Sequence, residues 1–323
     1  MLNIGLISKW HVHAGGYAKH IQENDLGNIA AVWDEDPARG ADWAAELGAA
    51  FYADYDAFLA AGIDAVVCDS PTTMHGELLV QAARAGKHIF TEKMLAPTTR
   101  EAEAIAEAVR AAGVTFAISL PEKSSRAVLY VKQLMQSGKL GRVTAARFRR
   151  SHGGVSGGWL PEYWFDVNAS GGGALMDLGA HPVYIMADFF GAPKRLTALM
   201  TNLYGTSSDE NTIVLAEFGD GVLATMETAF VTGGVPDQLE IFGTEGSVFM
   251  RGGEVVQNIG SGMEAVPAEA LPMGKDSPLT QFMRAVAAGA KEPEGLGLED
   301  ALLMTRIAEA AYEAQRTGRT LAL

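Results

Sequence analysis

The sequence predicts an α/β protein: a doubly wound parallel sheet followed by an α+β domain with an open, mostly antiparallel sheet. Two observations carry this. Up to Leu120, short continuous apolar runs alternate with amphipathic helical stretches, the pattern of parallel strands covered on both faces. Beyond Pro121 the runs lengthen, alternate apolar with polar residues, and are joined by tight turns such as Gly219-Asp220-Gly221, the pattern of antiparallel hairpins. The first half is therefore expected to be of Rossmann type, and the division is placed at 1–121 and 122–323.

In order, the strands of the first half are expected at Asn3–Ser8, Asn28–Asp34, a short segment near Phe51, Ala65–Ser70, Lys87–Glu92 and Thr115–Leu120. Between them come helices over Gly15–Glu23, Pro37–Leu47, Tyr55–Ala60, His75–Ala85 and Thr98–Ala112. Pro37 opens a helix, and Gly48, Gly86 and Gly113 each sit just past a helix end, where a left-handed residue is wanted. In the second half a helix over Arg126–Gln136 leads to strands Val143–Ser151, Leu196–Tyr204, Thr212–Phe218, Val222–Phe230 and Gln238–Phe242. Helices Tyr184–Phe190, Leu279–Ala288 and Leu298–Thr317 are expected to cover one face of that sheet.

A chain of 323 residues is long enough for two ordinary cores. Its net charge of −14 opposes a nucleic-acid surface, which needs a concentrated basic stripe. The densest basic cluster, Arg147, Arg149 and Arg150, lies in a strand and reads as a solvated sheet face or a subunit contact. Cys68 is the single cysteine, so no intrachain disulfide or thiolate metal cluster is available. The start lacks the charged region of a signal peptide, and no apolar run approaches membrane-spanning length. A cytoplasmic protein without membrane partners is expected.

Ligands of such parallel sheets bind beyond the carboxyl ends of the strands. The residues there are Ser8-Lys9-Trp10-His11-Val12-His13, Asp34-Glu35-Asp36, Asp69 to His75, and Glu92-Lys93-Met94. An acid at the tip of the second strand, Asp34, is placed to accept hydrogen bonds from an adenosine ribose; it could instead cap the helix at Pro37. With Glu35 and Asp36 it would repel the extra phosphate of NADP, so NAD is the expected cofactor. Counted from Gly5, the G-x-G-x-x-G fingerprint would need glycine at Ile7 and Trp10 and fails, although the loop can still offer backbone N–H groups to a pyrophosphate. Trp10 must then point away from the phosphates or stack along the cofactor. His11 and His13 could suggest paired metal ligands, but no third ligand is near in sequence, and no metal is expected.

In the second half, Asp177 and His181 follow Gly171-Gly172-Gly173. Four apart, they share one face if the segment is helical, and a carboxylate beside an imidazole suits proton transfer near neutral pH. The glycines could bring backbone close to a ligand. Pro182 places the helix start near His181 or a kink there. The loop Gly153–Gly173, with Trp159, Tyr163, Trp164 and Asp166, suits a wall over a polyhydroxylated ligand, or a surface loop packed on its own cluster.

Taken together, these residues resemble the Gfo/Idh/MocA oxidoreductases. The pieces are Gly5 followed by His13-Ala14, the Asp34 turn, Ser70–His75, Ala85–Lys93, Ser137-Gly138-Lys139-Leu140-Gly141, the stretch to His181, Phe242–Gly246, and a last helix ending Thr317-Gly318-Arg319. The resemblance implies that Lys93, Asp177 and His181 form the catalytic group, and that Glu92 and the Ser70–His75 loop (Ser70, Pro71, Thr73, His75) contact the cofactor beside Ser8, Lys9, Trp10 and His11. Met94 stands where the family usually has a proline, often cis, and Thr72 replaces a common asparagine. It also implies a homodimer or homotetramer through the C-terminal sheet.

The activity implied is NAD-dependent hydride transfer between nicotinamide and a sugar, inositol or related polyol. His181 would take the hydroxyl proton, Asp177 would orient its ring and stabilise its charged form, and Lys93 would hydrogen-bond the same oxygen or tune the histidine through its charge. Lys123, Tyr163 and Trp164 are the further substrate contacts. Two alternatives share the fold: a dinucleotide-binding sensor without turnover, and a redox-neutral, NAD-recycling enzyme that processes glycosides.

Overall fold

The computed structural model describes residues 1–260 and 262–323. Its N-terminal sheet is built from β1 (Leu2–Ile7), β2 (Gly27–Trp33), β3 (Ala50–Phe51), β4 (Ala65–Cys68), β5 (His88–Thr91) and β6 (Phe116–Ile118). All pair in parallel, in the order β3-β2-β1-β4-β5-β6. Helices α1 (Ala14–Gln22), α2 (Pro37–Leu47), α3 (Tyr55–Leu59), α4 (His75–Arg84) and α5 (Thr99–Ala112) connect them. Every residue of β4 is buried, which is why this strand reads as an unbroken apolar run. The helix ends follow from local chemistry. Asp36 caps α2 by accepting from Ala38 and Arg39, and Gly48 closes it at φ 67°. Thr98 caps α5: its hydroxyl oxygen accepts Glu101 N–H and its hydroxyl proton is donated to the Glu101 carboxylate.

Among the described residues the second sheet has nine strands. They are β7 (Val143–Ser151), β8 (Arg195–Thr201), β9 (Asn211–Glu217), β10 (Leu223–Ala229), β11 (Gln238–Gly243), β12 (Ser247–Arg251), β13 (Glu254–Asn258), β14 (Met263–Val266) and β15 (Leu321–Ala322). The order is β14-β13-β12-β11-β7-β10-β9-β8-β15, antiparallel except between β7 and β10. Around it lie α6 (Arg126–Gln136), α7 (Val167–Ser170) and α8 (Ala180–Phe190), with α8 packed on β7 and β10. Farther along come α9 (Pro278–Ala287) and α10 (Leu298–Thr317).

The chain forms two compact units, Met1–Ser119 with Ser277–Leu302, and Leu120–Asp276 with Leu303–Leu323. The helix expected at Leu279–Ala288 to cover the antiparallel sheet lies instead on β5 and β6 of the parallel one. Phe282 meets Phe90 with ring centroids 5.8 Å apart, and the Met283 sulfur lies 3.2 Å from where a Cβ on Gly27 would stand. Periodicity reveals an apolar helix face but not which sheet buries it. No helix among the described residues is long and apolar enough to cross a membrane.

Candidate active site

In the first unit the strand order reverses between β1 and β4, which opens a ligand crevice at the carboxyl ends of those strands. The turn leaving β1 falls on Ser8, at φ 71°. A left-handed turn residue is the task of the first fingerprint glycine, so the spacing runs Ser8, Trp10, His13, and not from Gly5 through Ile7. Gly5 serves packing: a Cβ there would stand 2.5 Å from Phe58 Cζ. The loop amides expected to face a pyrophosphate are committed within the protein. Lys9 N donates to Asp34 (2.9 Å), Trp10 N to Ser8 Oγ (3.0 Å), His11 N to the Asp69 carbonyl (3.0 Å) and His13 N to His11 Nδ1 (3.2 Å). Trp10 is buried. Room exists instead at the first turn of α1, where a Cβ on Gly15 or Gly16 would meet nothing within 4 Å.

Asp34 is buried at the tip of β2, and its carboxylate is filled. It accepts from Lys9 N, from Asp36 N (2.8 Å), and from Arg39 Nε (3.0 Å) and Nη2 (2.6 Å). Four acceptor sites are about what a carboxylate has. Arg39 also reaches Glu35 Oε1 (2.5 Å), while Glu35 Oε2 is buried without a hydrogen-bond partner. Arg39 went unnoticed in the sequence; its signal is a cation in the first turn of the helix that follows the acidic triplet. Lys9 points outward to Glu46 (2.9 Å).

At the end of β5, Glu92 is an anionic hub. It accepts from Tyr17 Oη, pairs with His13 Nδ1 (3.0 Å), accepts Lys93 N (3.0 Å), and lies 3.9 Å from Lys93 Nζ and 4.0 Å from His11 Nε2. Burial alone would push its carboxyl up, but His11, Lys93 and His13 more than offset this and hold it well below the usual carboxylate range. Lys93 is buried, and the Lys93–Met94 peptide is cis.

Glu92 also supplies a third group to His11 and His13, with candidate ligand atoms within 4.8 Å of one another. The hydrogen bonds oppose a metal here. His11 Nδ1 accepts a backbone N–H, so the neutral ring carries its proton on Nε2, the atom that would have to ligate, and Lys93 competes for the carboxylate. Asp69, beneath, is fully buried with neither oxygen partnered; burial and then Glu92 push its carboxyl well above the usual range.

Of the loop after β4, Ser70, Pro71 and Thr72 are buried and Thr73 is exposed. His75 is fully buried between the carbonyls of Ser70 (3.2 Å) and Leu95 (3.1 Å), so it holds the loop's shape.

In the second unit, Asp177 lies in a run of turns, with Asp177 N on Gly173 O (3.2 Å) and Gly179 N on Ala174 O (2.7 Å). The helix α8 begins only at Ala180, so Asp177 and His181 are not two positions of one helix and the spacing argument for their pairing does not apply. The glycines approach protein rather than opening a ligand surface. A Cβ on Gly173 would stand 2.1 Å from Asp209 O, and one on Gly172 2.4 Å from Tyr312 Oη. Asp209 organises this turn by accepting from Gly173 N (2.9 Å), Leu175 N (2.9 Å), Thr212 Oγ1 (2.7 Å) and Tyr312 Oη (2.7 Å).

His181 is buried. Its Nδ1 lies 2.8 Å from Tyr184 Oη and 3.2 Å from Arg150 Nη1. Tyr184 Oη accepts Glu122 N (3.1 Å), and Arg150 is paired with Glu122 (2.5 Å) and Asp237 (3.4 Å). The basic cluster of β7 is thus split. Arg147 makes a two-bond fork to Glu227 (2.7 and 2.9 Å), while Arg150 shares alternation with the buried Phe148 and reaches His181. Strand parity was the signal for it. Lys123 pairs with Asp188 (3.5 Å), which also takes Lys132 (2.7 Å). In the loop before the turns, Trp164 is buried, Tyr163 is 44 % exposed, and Trp159 packs on His152 at 4.7 Å.

Comparison with known proteins completes the picture. Residues 5–120 match the family model described as an oxidoreductase family with an NAD-binding Rossmann fold, and residues 128–249 match the GFO/IDH/MocA C-terminal domain. The chain is 26% identical over 267 residues to scyllo-inositol 2-dehydrogenase (NAD(+)) of Bacillus subtilis, covering 77% of this chain and 72% of that one. It is 26% identical over 259 residues to 2,7-anhydro-N-acetylneuraminate hydratase of Escherichia coli, covering 77% and 67%. A levoglucosan dehydrogenase solved with NADH and levoglucosan superposes with a TM-score of 0.87 at 21% identity, over 99% of both chains.

Proposed function

Since both halves of the chain belong to the Gfo/Idh/MocA oxidoreductases, we propose that it transfers a hydride between NAD and a secondary alcohol or ketone of a sugar, inositol or related polyol. The observation that carries this is Lys93, buried at the ligand-binding edge of the parallel sheet and paired with Glu92, on a chain whose second unit holds a buried His181. The reading makes 1–121 the dinucleotide-binding part and 122–323 the substrate part. Lys93, Asp177 and His181 then address the reacting oxygen, and Lys123, Tyr163 and Trp164 line the substrate.

A dinucleotide fits the crevice, because the open glycine pair at the start of α1 leaves a helix N-terminus for a pyrophosphate. When bound, NAD supplies the hydride acceptor. Around it we place Ser8 to His11, the Ser70–His75 loop and Glu92. For NAD over NADP the support is electrostatic. The Arg39 charge is already taken by Asp34 and Glu35, and a ribose phosphate would meet Asp34, Glu35 and Asp36 together. Glu35 Oε2 is the unpartnered carboxylate oxygen with which to meet a ribose hydroxyl.

A homodimer or homotetramer is part of the same proposal. The sheet face carrying Leu199, Ile213, Leu215 and Leu223 leaves these side chains 76%, 47%, 45% and 52% exposed, an apolar patch suited to a second copy. Sedimentation of Leu215→Glu against wild type tests it, with a smaller species expected from the variant. A cytoplasmic location is part of the same proposal.

The test of activity is nicotinamide reduction across a sugar and inositol panel with NAD and NADP. Turnover with NAD that collapses in Lys93→Ala supports the proposal. Dinucleotide binding without reduction anywhere on the panel would leave the sensor reading in its place. The hydratase among its relatives favours one second reading, a redox-neutral reaction with recycled NAD; NAD retained through purification, with product formed and no net reduction, would establish it.

A further inference from the structure

We infer that Arg150 and Tyr184 hold His181 as the tautomer with its proton on Nε2, so that His181 meets the ligand as a hydrogen-bond donor and not as the base. The inference deepens the proposed function and rests on it for the identity of the ligand, a polyol oxygen. It needs only geometry within the second unit.

A guanidinium can donate but never accept, and Arg150 Nη1 stands 3.2 Å from His181 Nδ1. Nδ1 must therefore present its lone pair. Tyr184 agrees. Its oxygen accepts Glu122 N–H at 3.1 Å, and its own proton can be donated to Nδ1, 2.8 Å away. With two donors converging on Nδ1, the single proton of a neutral imidazole sits on Nε2. A proton added at Nδ1 would face the N–H of Arg150 and break that bond. Arg150 is not free to swing aside, because Glu122 (2.5 Å) and Asp237 (3.4 Å) anchor it.

Arg150 is balanced by Glu122 and Asp237, Lys123 and Lys132 share Asp188, and Asp177 precedes the helix in the chain. A ring so held can orient a C–O group and stabilise negative charge developing on its oxygen through Nε2–H. The hydroxyl proton then goes to another acceptor, and Asp177 is the carboxylate of the group. Arg150 acts through His181 and is a positioning residue.

The test is direct. The full chain is labelled with 15N-histidine, and long-range proton–nitrogen correlations are recorded at neutral pH, with the His181 ring assigned by its absence in His181→Gln. A pyridine-like Nδ1 and a pyrrole-like Nε2 are expected. A protonated Nδ1, alone or with Nε2, overturns the inference. Arg150→Lys, still only a donor, should keep the pattern and Arg150→Met should lose it; an unchanged ring in Arg150→Met removes Arg150 from the role. In turnover, His181→Gln keeps a donor and should exceed His181→Ala by roughly tenfold or more, the scale of one donor to a developing oxyanion. Equal loss in both variants is the result of a base and refutes the donor role. Absence of turnover in the wild type sinks the proposed function alone, since the ring spectrum still decides the tautomer.

Discussion

Gly173→Ala is the most informative single change in the second unit. A Cβ at this position would stand 2.1 Å from Asp209 O and 2.7 Å from Asp209 N, and both obstacles are backbone, so no rotamer change relieves them. Overpacking that neighbours can absorb costs about 1–3 kcal/mol. Here the Gly173–Leu175 segment must draw back from Asp209, which weakens the bonds from Gly173 N and Leu175 N, both 2.9 Å, to one carboxylate. Bonds to a charged acceptor are worth about 1.5–3 kcal/mol each. With one of them lost and the other kept by relaxation, the expected destabilisation is about 4 kcal/mol. At about 2–4 °C per kcal/mol for a unit of this size, thermal unfolding followed by circular dichroism should drop by about 8–16 °C. A fall of less than about 3 °C would show that the turn accommodates a Cβ, and that close approach to Asp209 is not why glycine stands there.

Gly15→Ala should do the reverse to stability and harm binding: the Cβ enters open space at a helix start, so stability rises by about 0.5 kcal/mol, while calorimetric affinity for NAD falls by about tenfold because the methyl group occupies the pyrophosphate's place. Asp34→Ala releases Arg39 from its two-bond fork, and the ratio of kcat/KM for NADP to that for NAD should rise by roughly tenfold or more; an unchanged ratio removes this pair from cofactor choice. Asp69→Asn tests the buried, unpartnered carboxyl. Burial, and then Glu92, raises its folded-state value above the unfolded one of about 3.9, so the native state binds more protons and loses stability as pH rises from there through the raised value. The melting temperature of Asp69→Asn relative to wild type should therefore climb as pH rises above about 4, and a flat difference would contradict the raised value.

Much of this architecture was legible because local chemistry and tertiary structure agree. Pro37–Leu47 falls where its caps and periodicity place it, and Arg126–Gln136 where its periodicity does. The hairpins β12–β13 and β13–β14 were missed, since Gly252-Gly253 and the short polar-flanked runs around them give little alternation to read. The site was legible at its strand-end positions and not in its connections. Glu92 reaches His11 and His13 across a sequence gap that no spacing rule spans, and Arg150 was grouped with Arg147 although strand parity sends the two to opposite faces. The glycines misled in both halves. Gly5 and Gly173 are demanded by Phe58 and Asp209, and composition cannot distinguish a glycine that admits a ligand from one that admits a neighbouring side chain or backbone.

The two units fix their ionisable groups by opposite means. In the first, one buried anion, Glu92, which burial alone would push toward its neutral form, gathers Tyr17, His13 and Lys93 around itself. In the second, one cation, Arg150, is held by two carboxylates and dictates where the proton of His181 resides. The lysine is thus held beside a carboxylate and the histidine beside a guanidinium before any ligand arrives. That arrangement suits residues that bind and polarise an oxygen, and it directs the search for the acceptor of the hydroxyl proton away from His181 and toward Asp177.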